Sequence, residues 1–301
     1  MKQIKINDEK FVNDRLDKSL SLIMNDISRS KIQELINEGK VLVNGKKEKS
    51  SYKIQLNDVI EVGDIVAKEQ TFEAENIALD IVYEDNYLLV VNKPKGLVTH
   101  PGAGNPNHTL VNALKFHSKN LSSINGEYRL GIVHRLDKDT GGLLVVAKDD
   151  KTHEFLASQL KDHTLGRTYI ALVDGVIKED DGTIIAPIGR DDKNRLKMAV
   201  DLKDGKDAIT HFKVLKRYSS STLVECRLET GRTHQIRVHM NYINHPIIGD
   251  PLYGKNNRRL YNDGQLLFAY KISFVHPKDK KRREFEVSLP KYFVDVITSL
   301  Y

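Results

Sequence analysis

Ionisable and polar side chains crowd into two short runs of this chain. The first, Gly131-Ile132-Val133-His134-Arg135-Leu136-Asp137-Lys138-Asp139-Thr140-Gly141-Gly142, leads directly into the apolar stretch Leu143-Leu144-Val145-Val146-Ala147. The second is Leu228-Glu229-Thr230-Gly231-Arg232-Thr233-His234-Gln235-Ile236-Arg237-Val238-His239-Met240. A carboxylate, imidazoles and guanidinium groups at the edge of an apolar strand suit a functional loop, because a rigid strand keeps such groups aimed. Taken singly, each also fits a structural role: Asp137 capping a turn, His134 satisfied within a core, Arg237 on a helix surface. His234 and His239 are five apart rather than the four that sets two metal ligands on one helix face. No Gly-x-Ser-x-Gly elbow and no Gly-x-x-x-x-Gly-Lys-[Ser/Thr] loop occurs, so neither a serine hydrolase elbow nor a P-loop is expected.

Local patterns indicate the elements that must position these runs. Gly231 breaks a strand, and Thr233 is placed to cap a helix on which His234 and Arg237 share a face. Leu88-Leu89-Val90-Val91-Asn92-Lys93 reads as a buried strand stopped by Pro94, and residues 96–106, rich in glycine and proline, as a loop. Strand-like runs recur at 142–147, 169–173, 223–228 and 285–289 without the regular helix alternation of a doubly wound fold. The expected class is therefore α+β, with a mixed, largely antiparallel sheet flanked by helices. Residues 64–79 are polar and patternless, as a linker would be.

Ahead of that linker the pattern is two helices and then small strands. Leu16, Leu20, Leu22 and Ile23 recur at helical spacing, and a second helix follows with Ser30 as N-cap, apolar Ile32, Leu35 and Ile36, and Gly39 as its stop. Val41-Leu42-Val43-Asn44-Gly45 is a strand entering an Asn-Gly hairpin turn. Lys40, Lys46, Lys47, Lys49 and Lys53 crowd around it; each alone fits a solvated surface, and together they suit a phosphate backbone followed without reading sequence.

Two resemblances run through these elements. Arg15-Leu16-Asp17-Lys18, Ser28-Arg29-Ser30, Gln33-x-Leu35-Ile36-x-x-Gly39-x-Val41-x-Val43-Asn44-Gly45 and Asn57-Asp58-x-Ile60 resemble the S4 domain, an RNA-binding module. His134-Arg135-Leu136-Asp137-Lys138-Asp139-Thr140, followed by Gly142-Leu143-Leu144-Val145-Val146-Ala147-Lys148, is similar to the active-site motif of RluA/RluD-type RNA pseudouridine synthases. Asn92-Lys93-Pro94-x-Gly96-Leu97-Val98-x-His100-Pro101, Tyr169-x-Ala171-Leu172-Val173-x-Gly175, Ala186-Pro187-Ile188-Gly189-Arg190, Gly231-Arg232-Thr233-His234-Gln235-Ile236-Arg237 and Gly249-Asp250-Pro251-Leu252-Tyr253-Gly254 stand in family order around it. Gly141 departs from the family's usual serine, and Phe268 stands where histidine is common. The resemblance implies an S4 domain over residues 12–70 and a catalytic domain over 80–301.

It also implies roles: Asp137 as the catalytic carboxylate, Arg237 as its ionic partner, and Tyr169 as the ring that packs on the uracil. Arg135, His134, Arg232 and His234, and in the first segment Arg15, Arg29, Ser30, Lys31 and Asn44, are the implied RNA contacts. Pseudouridine formation cuts the bond from uracil N1 to the ribose, turns the base and rejoins it through C5. Nothing is oxidised or added, so no cofactor and no metal is expected. One carboxylate suffices, attacking C1′ or taking the C2′ proton, and both routes stay open. The target base must leave its helix at a cost of a few kcal/mol, and Arg135 would fill the vacated space. By analogy the S4 domain points to large-subunit (23S) ribosomal RNA, with transfer RNA also open. Competing expectations are a ribosome-assembly factor that binds RNA on this fold without turnover, and a nucleosidase releasing uracil.

Composition agrees in outline. The 301 residues suit two unequal domains, and a formal charge of +6 mildly favours a polyanionic partner. The single cysteine, Cys226, sits in an alternating strand pattern and reads as a core thiol. With no apolar run near the roughly 20 residues of a membrane span and no apolar signal region after the N-terminal lysines, a cytoplasmic monomer without membrane contact is expected.

Overall fold

The computed structural model describes residues 2–24, 27, 29–63, 73–102, 104–254 and 260–301, with the backbone alone at Ser30. They divide into two compact units, Met1–Thr71 and Phe72–Tyr301.

The first unit contains β1 (Lys2–Lys5), α1 (Leu16–Ile23), α2 (Arg29–Asn37), β2 (Val41–Val43), β3 (Lys46–Lys47) and β4 (Val59–Val62), its strands ordered β1-β4-β2-β3. Leu16 and Leu20 are fully buried, and Ile32, Leu35 and Ile36 meet them in one core with Val41, Val43, Ile54 and Ile60. Leu22 is 56% exposed, contrary to its expected place on the apolar face. At about 100° per residue it lies on the far side of α1 from Leu20. Ser30 is not the N-cap, since α2 already includes Arg29, and its side chain, like the whole of Ser28, lies outside the described residues. Gly39 ends α2 as expected. At φ +71° it lets Lys40 N–H reach the Leu35 carbonyl and its own N–H the Ile36 carbonyl, at 2.9 and 3.0 Å, the pairing of a Schellman turn. Asn44 and Gly45, at φ 50° and 77°, turn β2 into β3.

The second unit contains β5 (Ile81–Glu84), β6 (Leu88–Lys93), α3 (Leu110–His117), β7 (Gly141–Ala147), α4 (Asp150–Lys161), β8 (Gly166–Asp174) and β9 (Asp181–Ile185). β10 (Ile188–Arg190), β11 (Met198–Val200), β12 (Ile209–Arg217), β13 (Ser221–Leu228), α5 (Gln235–Tyr242), β14 (Leu267–Val275), β15 (Arg282–Glu286) and α6 (Lys291–Thr298) follow. Among the described residues the main sheet has nine strands, in the order β5-β6-β7-β14-β8-β13-β12-β9, with β15 also paired to β14. All its pairings are antiparallel except β7 with β14, so the expected mixed, largely antiparallel sheet is present.

The central strands are apolar without alternation because both faces are covered. From β6 and β7, Leu89, Val91, Leu144 and Val146 join the core under α3, while Leu88, Val90, Leu143, Val145 and Ala147 join another with Leu156 of α4 and Phe274. Gly142 makes the parallel junction possible: at φ +116°, it faces Ala269, whose carbonyl oxygen would be 2.2 Å from any Cβ there. Cys226 is fully buried, and burial pushes its thiol up to about 12. Of the expected linker, residues 64–72 lie outside the described residues. Over 73–79 the chain is tied to α3, with Asn112 Nδ2 donating to the Glu73 carbonyl at 2.8 Å and Glu75 N–H to the Asn112 carbonyl at 3.0 Å.

Candidate active site

Asp137 lies on the loop that enters β7, and the loop's backbone is pinned from several sides. Thr99 Oγ1 donates to the Leu136 carbonyl at 2.7 Å, Gly96 N–H to the Lys138 carbonyl at 2.9 Å, and Thr140 N–H to the Asp137 carbonyl at 3.1 Å. Beneath it the Lys93 ammonium, fully buried, donates to the carbonyls of Pro94, Leu97 and Lys138 at 2.9, 2.7 and 3.2 Å. Burial pulls Lys93 down to about 7, while the charges of Asp137 and Asp139 and the carbonyl acceptors favour the ammonium. The carboxylate so held is 17% exposed.

Arg237 arrives from α5. Its Nη1 donates to Asp137 Oδ2 at 2.9 Å, while Nε and Nη2 grip the two oxygens of Asp250 at 2.7 and 2.9 Å. Asp250 is itself fixed, fully buried and accepting the N–H groups of Leu252 and Tyr253 at 2.9 and 3.1 Å. A planar guanidinium bound at two points to one carboxylate has its remaining edge aimed, here at Asp137. Burial alone would lower the Arg237 pKa, but the two carboxylates outweigh it and raise it, so the cation persists. Tyr169, on β8, is 5% exposed and lines the same cleft of about 680 Å³, together with His134, Arg135, Asp137, Arg232, His234 and Arg237. Burial pushes its phenol up to about 12, so it keeps its proton at neutral pH.

A family profile described as RNA pseudouridylate synthase matches residues 87–242, and one described as S4 domain matches residues 14–60. The chain belongs to the RNA pseudouridine synthase family. Its members are isomerases acting on uridine in RNA. The protein is 50% identical to an uncharacterised RNA pseudouridine synthase of Bacillus subtilis (strain 168), over 100% of this chain and 99% of that one. It is 47% identical to ribosomal large subunit pseudouridine synthase D of Neisseria meningitidis serogroup A, over 92% of this chain and 76% of the relative. Among solved structures, human RNA pseudouridylate synthase domain containing 1 is similar at a TM-score of 0.58 and 27% identity, covering 72% of this chain and 85% of that one.

Several expected contacts take a different form in this synthase. Thr233 does not cap α5: the helix opens at Gln235, and its N-cap is His234, left-handed at φ 58° and without a side-chain cap. That turn brings His234 Nε2 to 3.9 Å from Asp137 Oδ2, with Nδ1 2.9 Å from the Tyr253 hydroxyl. Burial lowers its pKa, outweighing the Asp137 charge, which favours the protonated ring. His134, which lines the cleft, ties the Asp137 loop to β7: Nε2 accepts the Val145 N–H at 3.2 Å, and burial pushes the ring down to about 3. Arg135 is exposed, its Nη1 3.2 Å from His100 Nε2, and Arg232 donates through Nε to the Asp207 carbonyl at 2.9 Å.

In the N-terminal unit, Arg15 and Arg29 converge on fully buried Asp17 at 2.9 and 3.0 Å while staying 39% and 47% exposed. Burial would raise the Asp17 carboxyl, but bonds from Arg15, Gln33 and Arg29 hold it well below its usual range. Lys31 pairs with Glu34 at 2.9 Å. The Asn44 amide is engaged within the hairpin, donating to Asp58 at 2.8 Å and accepting the Val59 N–H at 2.9 Å, while the residue stays exposed. Asp250, Lys93 and His100 escaped notice as site residues, although each stands in a run quoted for the resemblance. A carboxylate before proline reads as a turn residue, and only the contact with Arg237 distinguishes it. The available signal for Lys93 is a lysine that follows Asn92 at the end of the apolar run 88–91.

Proposed function

We propose that this protein isomerises specific uridines of large-subunit (23S) ribosomal RNA to pseudouridine, with Asp137 as the catalytic carboxylate and a flipped-out target base. The observation that carries the reading is the Asp137 carboxylate in a cleft, 2.9 Å from a guanidinium that Asp250 holds in place. The relatives named for the large ribosomal subunit supply the substrate. In the reaction the N1–C1′ bond breaks and the C5–C1′ bond forms, C5 loses a proton and N1 gains one, and the product is an isomer. Asp137 opens the glycosidic bond, either at C1′ or through the C2′ proton. Arg237 holds it aimed, and Tyr169, with its proton retained, packs on the base and can donate but not act as a base at neutral pH. Arg135 fills the vacated stack, and Arg15, Arg29, Lys31 and Arg232 meet the RNA backbone. We take residues 12–70 and 80–301 as the two working domains of a cytoplasmic monomer.

Asp137→Ala and the wild type, each incubated with large-subunit rRNA transcribed without modification and then mapped for pseudouridine, decide the matter. The wild type should yield product and the variant at most about a thousandth of its rate. Equal rates would remove Asp137 from the chemistry, and free uracil would indicate a nucleosidase. No product from the wild type on any cellular RNA would leave an RNA-binding assembly factor. Light scattering checks the monomer.

A further inference from the structure

The cleft contains a second buried guanidinium, Arg167 of β8, which has no role in the reading above. Only 7% of the residue is exposed, yet among the described residues no carboxylate pairs with it. Its Nη2 donates to the carbonyls of Glu229 and Thr230 at 3.3 and 3.1 Å, and Nε is buried with no acceptor. Nη1 bonds to nothing in the protein but is not sealed from the cleft that Arg167 lines. Arg237, a short way off on α5, shows what this fold does with a buried cation that it means to neutralise: it surrounds it with two carboxylates. A desolvated cation without a counter-charge is costly, and burial accordingly pulls the Arg167 pKa below its ordinary value.

Two local features keep that cation available. Arg167 precedes Tyr169 by two residues on one strand, so the two side chains leave the same face toward the cleft. Gly231 lies against the guanidinium, where a Cβ would stand 2.3 Å from Nη1. Any side chain at 231 would displace or cover the free edge. Arg129, Lys161 and Arg232 also line the cleft, so the surroundings favour a polyanion.

We propose that Arg167 is a substrate-binding residue, whose free Nη1 edge takes an anionic oxygen of RNA in the cleft. Two oxygens share that chemistry: that of a phosphate beside the target uridine, and that of the uracil as it departs with negative charge. This rests on the isomerase reading. The test uses full-length Arg167→Met and Gly231→Ala with in-vitro-transcribed large-subunit rRNA. It measures equilibrium binding across about 50–200 mM salt, and single-turnover pseudouridine formation at saturating RNA. If a phosphate is held, Kd rises about tenfold and the salt slope becomes shallower by roughly one, with the rate unchanged. If the base is held, Kd is unchanged and the rate falls roughly 100-fold. Wild-type values of Kd, slope and rate in both variants would overturn the inference alone, provided the wild type turns over. A wild type that forms no pseudouridine overturns it together with the proposed function. Should Arg167→Met fail to fold, Gly231→Ala decides, because position 231 is exposed and its backbone suits alanine.

Discussion

Asp137 and Asp250 share Arg237, and the sharing is unequal. Asp250 takes two bonds and is fully buried, whereas Asp137 takes one and keeps a path to the cleft. On the proposed function Asp250 is thus a positioning residue, setting the angle at which the guanidinium meets the Asp137 oxygen. Asp250→Asn keeps the shape but removes that charge, so single-turnover rates should fall about 10- to 100-fold with RNA affinity little changed. A rate within about twofold of wild type would show that Arg237 needs no second carboxylate. His134 gives a different test, of stability against pH. Its folded pKa of about 3 lies below the ordinary 6.5, so the unfolded chain binds the proton more readily. Its contribution is intact above about 6.5 and declines by at most about 1.4 kcal/mol per unit as pH falls toward 3. His134→Gln, which keeps an acceptor for the Val145 N–H, should flatten that decline. Urea unfolding at pH 7.5 and pH 5 compares the two proteins, and parallel losses would exclude His134 as the cause.

At the scale of elements, the β7–β14 junction links the Asp137 loop to the strand beside Tyr169. The two departures from the family pattern meet there: Gly141 and Phe268 are register partners, and a Cβ at 141 would lie 3.3 Å from the Phe268 ring and 3.2 Å from the Lys93 carbonyl oxygen. The larger ring and the missing side chain thus complement each other. Gly141→Ser should destabilise the protein by about 1–2 kcal/mol, and adding Phe268→His should recover part of the loss. Strictly additive melting shifts in the double-mutant cycle would show that the pair is uncoupled. The strand patterns around this junction were legible because β6 is apolar over residues 88–91 and β7 throughout, and their coverage on both faces explains why. Thr233 misled because a hydroxyl ahead of a helical pattern is the ordinary capping signal, whereas His234 adopts the left-handed turn that aims its ring at Asp137.

At the scale of the whole molecule, the proposed function divides the work between the two units. Removing residues 1–70 should weaken binding to rRNA and make it less sensitive to salt, because Arg15, Arg29 and the lysines of the first unit leave with them, while residues 71–301 retain turnover on short RNA. An unchanged salt slope would place the phosphate contacts elsewhere. The sequence by itself determined the order of the motifs, the α+β class, the core positions at helical and strand spacing, and the family, since these follow from local periodicity and from long runs of quoted residues. Only the tertiary structure decided which charges meet. Asp137 meets Arg237 across a hundred residues, Arg237 meets Asp250 across thirteen, Asn44 bonds within its own hairpin, and among the described residues no carboxylate pairs with Arg167. Burial and pairing across such separations depend on how the sheet and α5 pack, and that is a property of the folded chain that no local pattern encodes.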